Sequence, residues 1–168
     1  MKVKTTRFGD VEVNESKVIT VLGGIIGFEH YTRFVILDFI KDSELRWLQS
    51  LNDKEVSFVI CDPWYFFKDY DFELSDEDQK ELEIESLDDI VAVAISTIPA
   101  DVTRTTLNLI SPIVINLKKM IGKQVILYNS SYSTNHRIVL KVKIDDERAA
   151  EELRIKLQNR IKEKAAAV

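Results

Sequence analysis

The sequence is divided into many short runs of β-branched and apolar residues, and this pattern constrains the fold more than any other feature. Turn residues such as Gly23-Gly24 and Asp62-Pro63 end the runs. Short strands at this spacing, with little helix between them, predict a mainly β chain folded as an antiparallel sandwich or a small barrel. The predicted strands are a hairpin over 3–13, and residues 18–22, 34–39, 56–61, 90–97, 105–110, 113–117, 124–128 and 137–142.

Two interruptions of the strand pattern predict short helices. Ser43 precedes the run Glu-Leu-Arg-Trp-Leu and is a favourable N-cap, so residues 43–48 are predicted as a short helical turn. Ser75 is followed by Asp78 three positions later, which resembles a capping box and predicts a helix from about Asp76.

The second of these helices lies in an acidic window, residues 68–89. The window holds eleven acids and two lysines, a formal charge of −9, whereas the whole chain carries −5, so the remainder is net positive by 4. A solvated surface excursion explains such a window, and so does a charged face that steers a partner or repels RNA. The sequence leaves both interpretations open.

Residues 145–168 differ from the rest of the chain and predict an amphipathic α-helix. Acids at 145–147 begin the segment and basic residues lie near its end, the arrangement that a helix macrodipole favours. An apolar residue recurs every three or four positions, which gives one narrow stripe: Ala150, Leu153, Leu157, Ile161 and Ala165. The stripe docks either on the protein's own sheet or on a partner or second copy. We therefore predict a β domain over 1–144 and a helical extension over 145–168.

The composition excludes several classes of protein. A length of 168 residues fits one domain, and a single cysteine excludes a disulfide framework and a multi-cysteine zinc site. A pI near 5.2 argues against direct nucleic-acid binding, because phosphate recognition needs a basic face. The N-terminal residues lack the apolar core of a signal peptide, and no apolar run reaches the roughly 18–20 residues of a spanning helix. The chain is therefore predicted to be cytoplasmic, with no membrane contact.

The residue pattern predicts neither an enzyme nor a metal or cofactor site. Cys61 ends an apolar run, where a small buried hydrophobe is the ordinary role of cysteine. A catalytic thiol needs a nearby base, and nothing in the sequence brings His30 or His136 close to Cys61. The two histidines also lack metal-ligand spacing, and no phosphate-binding or nucleophile motif occurs.

A dense group of aromatic residues follows the predicted strand 56–61. Such a run is too dense for burial of alternate residues, so it predicts either a hydrophobic plug at one end of a barrel or exposed rings at a protein interface. Its members are Trp64, Tyr65, Phe66, Phe67, Tyr70 and Phe72.

An ordered series of short strings over about residues 3–140 resembles the FliW family of bacterial flagellar assembly factors. The strings are Gly23-Gly-Ile-Ile-Gly27-Phe28-Glu29, Trp47-Leu48-Gln49-Ser50, Phe58-Val-Ile-Cys-Asp62-Pro63, Asp69-Tyr70, Asn108-Leu-Ile-Ser-Pro112-Ile-Val-Ile-Asn116 and Gly122-Lys-Gln124-Val-Ile-Leu127. The family often has proline before the Gly-Phe pair, where this chain has Ile26.

The resemblance implies a small antiparallel β-barrel-like domain without catalytic activity. It also implies that the protein binds flagellin in the cytoplasm as a chaperone. A further implied partner is CsrA, a dimeric RNA-binding repressor of flagellin translation that the family antagonises. Competition between the two partners would couple flagellin synthesis to secretion.

Motif residues at the ends of predicted strands and in loops are the candidate partner contacts. They are Gly27, Phe28, Gln49, Ser50, Asp62, Pro63, Tyr70, Asn108, Pro112 and Asn116. Each also has a structural interpretation, since glycine and proline serve turns and asparagine satisfies backbone groups. The alternative function is a self-associating structural protein that uses its C-terminal helix, whereas the first hypothesis predicts a monomer when the protein is free.

Overall fold

The computed structural model of the protein describes residues 1–38 and 43–140, and these form a mainly β structure. The strands are β1 (Lys2–Thr5), β2 (Gly9–Glu12), β3 (Ile19–Val21), β4 (Arg33–Asp38), β5 (Leu45–Ser50), β6 (Ser57–Cys61), β7 (Ile90–Thr97), β8 (Thr106–Leu107), β9 (Ile113–Asn116), β10 (Ile121–Gln124) and β11 (His136–Arg137). The helices are α1 (Asp76–Glu81) and the 3₁₀ turns Glu15–Lys17, Pro63–Tyr65, Leu87–Asp89 and Val102–Arg104. The prediction of a mainly β fold with short helices is confirmed.

Within the described residues, seven strands close into a barrel. The hydrogen-bonded order runs β7-β6-β5-β4-β3-β10-β9, and β9 pairs in turn with β7. Neighbouring strands are antiparallel except β3 and β10, which are parallel. The predicted hairpin at the N-terminus forms as β1 and β2 outside this barrel.

Alternation along each strand divides the apolar side chains between the two faces of the barrel wall. One cluster contains Ile19, Phe34, Leu48 and Ile60, and all four are buried. Side chains of β7 and β9 also belong to it or pack against it, and Gly122 of β10 faces it, since a Cβ there would lie 3.3 Å from Ile115 Cγ1. All seven barrel strands therefore face this cluster, which fills the interior. A side chain at position 122 would require Ile115 and its neighbours to move by a few tenths of an ångström.

A second and larger cluster covers the outer face of β5, β6, β7 and β9. Its strand members include Trp47, Cys61 and Ala94, and its cover comes from residues of the connections, including Tyr70, Leu82 and Leu127. The long connections are therefore part of the core, and they are held against the outside of the barrel by apolar burial.

Strand β7 pairs with β9 along residues 90–93 and with β8 along residues 96–97. Residues 108–112, which we call the 108–112 loop, separate β8 from β9. This loop bulges out of the pairing, although Asn108 N–H still donates to the Ile95 carbonyl of β7 at 2.9 Å. The predicted strands over 105–110 and 113–117 are therefore two segments of one interrupted partner of β7.

The predicted helical turn over 43–48 is wrong. Leu45–Ser50 is a strand paired on both edges, with β4 and with β6. Trp47 points to the outer cluster and Leu48 to the interior, so both faces of the strand are buried and the alternation is hidden in the sequence. The Ser43 hydroxyl does accept a bond from Leu45 N–H, at 3.1 Å, but no helix follows it.

Other boundaries differ by a few residues. The helix predicted from Asp76 is confirmed, with Ser75 Oγ accepting from Asp78 N–H at 3.0 Å. The strand predicted over 124–128 ends at Gln124 and begins earlier, at Ile121. The predicted helical extension over 145–168, and with it the proposed domain boundary, lies outside the described residues. None of the helices in the described ranges is long and apolar enough to cross a membrane.

Gly23 and Gly24 give a matched test of backbone constraint after β3. Both have positive φ, +73° and +69°, but only at Gly24 would a Cβ collide with backbone, at 2.7 Å from the Glu29 carbonyl oxygen. We expect Gly23→Ala to cost about 1–2 kcal/mol for the left-handed conformation. Gly24→Ala should cost about 3 kcal/mol or more, because the clash is added. Guanidinium unfolding of both variants measures the difference, and equal losses would contradict the close approach.

Candidate partner-binding surface

The 108–112 loop connects the barrel to the segments that form the outer surface. The Asn108 side chain holds the loop's shape, since its Oδ1 accepts from Ser111 N–H at 3.0 Å. Three carbonyls of the loop accept hydrogen bonds from other segments. The Tyr70 hydroxyl donates to the Leu109 carbonyl at 2.7 Å and the Gln124 amide to the Ser111 carbonyl at 3.1 Å. Leu127 N–H donates to the Ile110 carbonyl at 2.8 Å. The Leu127–Ile110 bond continues the register of the β9–β10 pairing, and the Tyr70 and Gln124 side chains satisfy the other two carbonyls.

Gln124 also fixes the glycine-rich loop that follows β3. Its Oε1 accepts from Ile26 N–H at 2.8 Å while its Nε2 binds the Ser111 carbonyl. A proline at position 26 would have no N–H to donate, so this bond requires a residue other than proline there.

Tyr70 is the centre of the aromatic group. Its side chain is 4% exposed, and burial, with Tyr132 nearby as a lesser cause, raises the pKa of the Tyr70 hydroxyl. Tyr132 packs on it with ring centroids 4.8 Å apart, and Trp64 Nε1 donates to the Tyr70 carbonyl at 2.6 Å. The neutral hydroxyl is therefore a permanent donor to the 108–112 loop.

The aromatic run is divided between burial and exposure, and a role of the exposed rings in a protein interface stays a prediction. Tyr70 is buried, and Phe66, Phe67 and Phe72 are partly buried against the outer cluster. Trp64 and Tyr65 stay exposed, Tyr65 by 53%. One part of the run plugs the outer core and the other presents rings to solvent.

A groove of about 640 Å³ lies between residues 71–78 and residues 123–130, and we call it the acidic groove. Four carboxylates line it, those of Asp71, Glu73, Glu77 and Asp78, against one cation, Lys123. Its volume is within the range of about 300–1,000 Å³ typical of binding clefts. The predicted acidic window therefore forms one wall of a recess.

Lys123 joins the two walls. Its Nζ donates to Asp78 Oδ1 at 2.6 Å and to Glu81 Oε2 at 2.7 Å. These two hydrogen bonds, Asp78 first, raise the pKa of Lys123. Because the pKa is raised on folding, the stabilisation is fully present below the ordinary lysine pKa of about 10.4, and it is lost as pH rises through the raised value. The bridge is thus intact at neutral pH.

The far wall of the groove exposes apolar side chains. Val125 and Leu127 are buried and alternate with Ile126 and Tyr128, which are exposed, Tyr128 by 78%. Large exposed apolar groups beside a recess are typical of interaction sites. The motif analysis missed Ile126, Tyr128 and Lys123, although alternation within the predicted strand 124–128 was a usable signal for the first two.

The ten predicted contact residues do not form one surface. Gly27 and Asp62 are exposed and Phe28 and Asn108 are half-buried, whereas six are buried: Gln49, Ser50, Pro63, Tyr70, Pro112 and Asn116. Their roles as partner contacts stay predictions.

Several of the ten have an internal role in the structure. Asn116 Nδ2 donates to the Leu82 carbonyl at 2.8 Å, and its Oδ1 accepts from Lys118 N–H at 3.0 Å, which ties the end of α1 to the turn after β9. Gln49 Nε2 donates to the Val56 carbonyl at 3.2 Å.

Ser50, Asp62 and Pro63 shape turns. Ser50 Oγ accepts from Asn52 N–H at 3.1 Å, and Asp62 Oδ1 from Trp64 N–H at 2.9 Å, at the start of the 3₁₀ turn that Pro63 opens. Asp62 thereby starts the aromatic run at a fixed angle to β6.

Cys61 lies in the outer cluster, 2% exposed. Burial, with smaller contributions from Asp62 and Glu44, raises the pKa of its thiol to about 12. A thiol with that pKa carries little thiolate at neutral pH and is a poor nucleophile. Across residues 1–38 and 43–140, no group of three or more His, Cys, Asp or Glu side chains is placed to hold a metal ion.

Comparison with known proteins decides the family, because the FliW protein family model matches residues 2–138. The chain belongs to the FliW family. The flagellar assembly factor FliW of Thermosipho africanus is 45% identical over 134 residues, covering 79% of this chain and 92% of that protein. FliW of Bacillus licheniformis is 41% identical over 138 residues, covering 82% and 96%.

A crystal structure of the flagellar assembly factor FliW has the same fold. It superposes with a TM-score of 0.76 at 37% identity, covering 84% of this chain and 100% of that one. The FliW match includes the 108–112 loop, Tyr70 and both walls of the acidic groove, and it ends before the predicted C-terminal helix.

The hydroxyl of Tyr70 tests whether this surface is fixed to the barrel through the 108–112 loop. Tyr70→Phe removes the donor to the Leu109 carbonyl inside the core, and we expect it to lower the free energy of unfolding by about 1–2 kcal/mol. The control Tyr65→Phe removes a hydroxyl from an exposed ring and should change stability by less than about 0.5 kcal/mol. Urea unfolding of the two variants decides, and equal effects would count against the tether.

Proposed function

We propose that this FliW-family chain is a protein-binding regulator that holds flagellin as a chaperone in the cytoplasm. It also antagonises the translational repressor CsrA, so that flagellin synthesis is coupled to secretion. The free protein is a monomer, contacts no nucleic acid directly and catalyses no reaction. The observation that carries the proposal is the combination of exposed apolar side chains and excess carboxylates on one groove.

Apolar exposure supports a protein partner. Tyr128 and Ile126 on the groove wall are exposed, as are Trp64 and Tyr65 at the start of the aromatic run. Tyrosine and tryptophan are enriched among the residues that dominate binding energy at interfaces, because they bury a large rigid area. A chaperone for flagellin needs such a surface to cover apolar segments before they assemble.

Charge supports CsrA as the second partner. An RNA-binding protein carries a basic face, and opposite charge on the two surfaces speeds association and fixes orientation. The groove wall 71–78 presents the carboxylates of Asp71, Glu73 and Glu77, which repel phosphate. The protein is therefore suited to approach an RNA-binding protein without competing for its RNA.

Calorimetric titration of the full chain against flagellin and CsrA from the same organism tests the proposal. We expect each partner to bind at micromolar concentration or tighter, and saturation with flagellin to abolish the heat of CsrA binding. Failure of both partners to bind at micromolar concentration would refute the proposed function.

A matched pair of variants tests the groove as the contact surface. Tyr128 and Leu87 are both 78% exposed, but only Tyr128 lines the groove. We expect Tyr128→Ala to weaken binding of at least one partner tenfold or more, about 1.4 kcal/mol, and Leu87→Ala to stay within about twofold. Equal affinities for the two variants would place the contact elsewhere.

A further inference from the structure

We propose that the C-terminal segment of this same chain, residues 145–168, binds in the acidic groove through its basic part, residues 154–164. The inference does not depend on the proposed function, since it concerns only contacts within one chain. It rests on charge, on apolar pattern and on the place where the described chain ends.

The charges of the two surfaces are complementary. The groove lining holds four carboxylates and one lysine, and that lysine already binds Asp78 and Glu81. Residues 154–164 of the C-terminal segment hold five cations and one acid. The cations are Arg154, Lys156, Arg160, Lys162 and Lys164. Pairing them with Asp71, Glu73 and Glu77 would offset the repulsion among these neighbouring carboxylates.

The apolar groups of the two surfaces are also complementary. Ile126 and Tyr128 on the groove wall are exposed, beside the partly buried Phe72. The C-terminal segment is predicted to form a narrow stripe, with Leu153, Leu157 and Ile161 flanked by the cations. A helix that lays such a stripe into a groove with a charged rim is a recurrent mode of recognition.

The length of the segment allows it to reach the groove. Near the end of the described residues, Ile138 N–H donates to the Thr105 carbonyl. Ile110, five residues after Thr105, accepts from the N–H of Leu127, which lines the groove. Five residues span about 17 Å when extended, and this length sets the distance that the segment has to cover. Residues 141–144 extended span about 13 Å, and a helix over 145–168 would add about 36 Å. The basic part of the segment therefore reaches the groove without strain.

The segment is covalently tethered to the groove, because both belong to the same chain. The FliW family model matches residues 2–138, so the basic part of the segment, residues 154–164, lies beyond that match. A tethered ligand has a high effective concentration, so weak contacts of this kind suffice to fill the groove.

Paramagnetic relaxation on the full chain tests the inference. A nitroxide on Ala166→Cys is selective for the new thiol, because Cys61 is buried and the pKa of its thiol is raised to about 12. We expect the amide signals of residues 71–78 and 123–130 to lose at least half of their intensity. The same loss should be absent from the β1–β2 hairpin. No loss in the groove would overturn the inference.

Charge variants test the cause of the contact. Reversal of Arg160, Lys162 and Lys164 to glutamate leaves residues 1–140 unaltered and should restore the groove signals. Glu73→Lys with Glu77→Lys should restore them as well, whereas Glu15→Lys with Glu55→Lys, an equal change of charge at exposed positions outside the groove, should not. Retention of the loss in the tail variant would overturn the inference.

A mixed sample separates this contact from one between copies. Spin-labelled chain without ¹⁵N is combined with unlabelled ¹⁵N chain, so that only intermolecular contacts broaden the signals. We expect no loss of intensity in the mixture. Broadening of residues 123–130 there would assign the groove to a second copy and overturn the inference.

Discussion

The hydrogen bonds of the 108–112 loop are the constraint on which the outer surface of this protein depends. Strand β7 pairs with β8, then with β9, and the loop lies between these two pairings. The Tyr70 and Gln124 side chains donate to two of the loop carbonyls, and Leu127 N–H donates to a third in the register of the β9–β10 pairing. A carbonyl left unpaired in the core costs about 1–3 kcal/mol. These bonds therefore fix the aromatic run, the glycine-rich loop and the groove wall to the 108–112 loop.

Local signals in the sequence predicted some elements well. The apolar run 90–97 became β7 with those bounds, and Ser75 with Asp78 predicted the start of α1. The prediction of a helical turn over residues 43–48 was wrong because β5 is buried on both faces, which hides the alternation that identifies a strand. The parallel pairing of β3 with β10, and the closure of β9 onto β7, depend on contacts distant in sequence, which no local pattern encodes.

The candidate surface was predicted less well than the fold, for a physical reason. Family motifs mark residues whose loss damages the structure, and Asn116 and Gln49 prove to hold backbone groups inside the protein. Tyr128 and Lys123 acquire their significance only when the fold brings 123–130 opposite 71–78. The acidic window, in contrast, was visible from charge alone, and folding turned it into one wall of a recess.

Native-state hydrogen exchange of the Val125 and Leu127 amides tests the central claim most directly. These amides donate to the Pro112 and Ile110 carbonyls, at 3.0 and 2.8 Å, and so report on the attachment of the groove wall to the 108–112 loop. We predict that both exchange only by global unfolding, with the same opening free energy as the amides paired between β7 and β9. Exchange through a local opening several kcal/mol lower in free energy would show that the groove wall is not held by the loop, and would contradict the account.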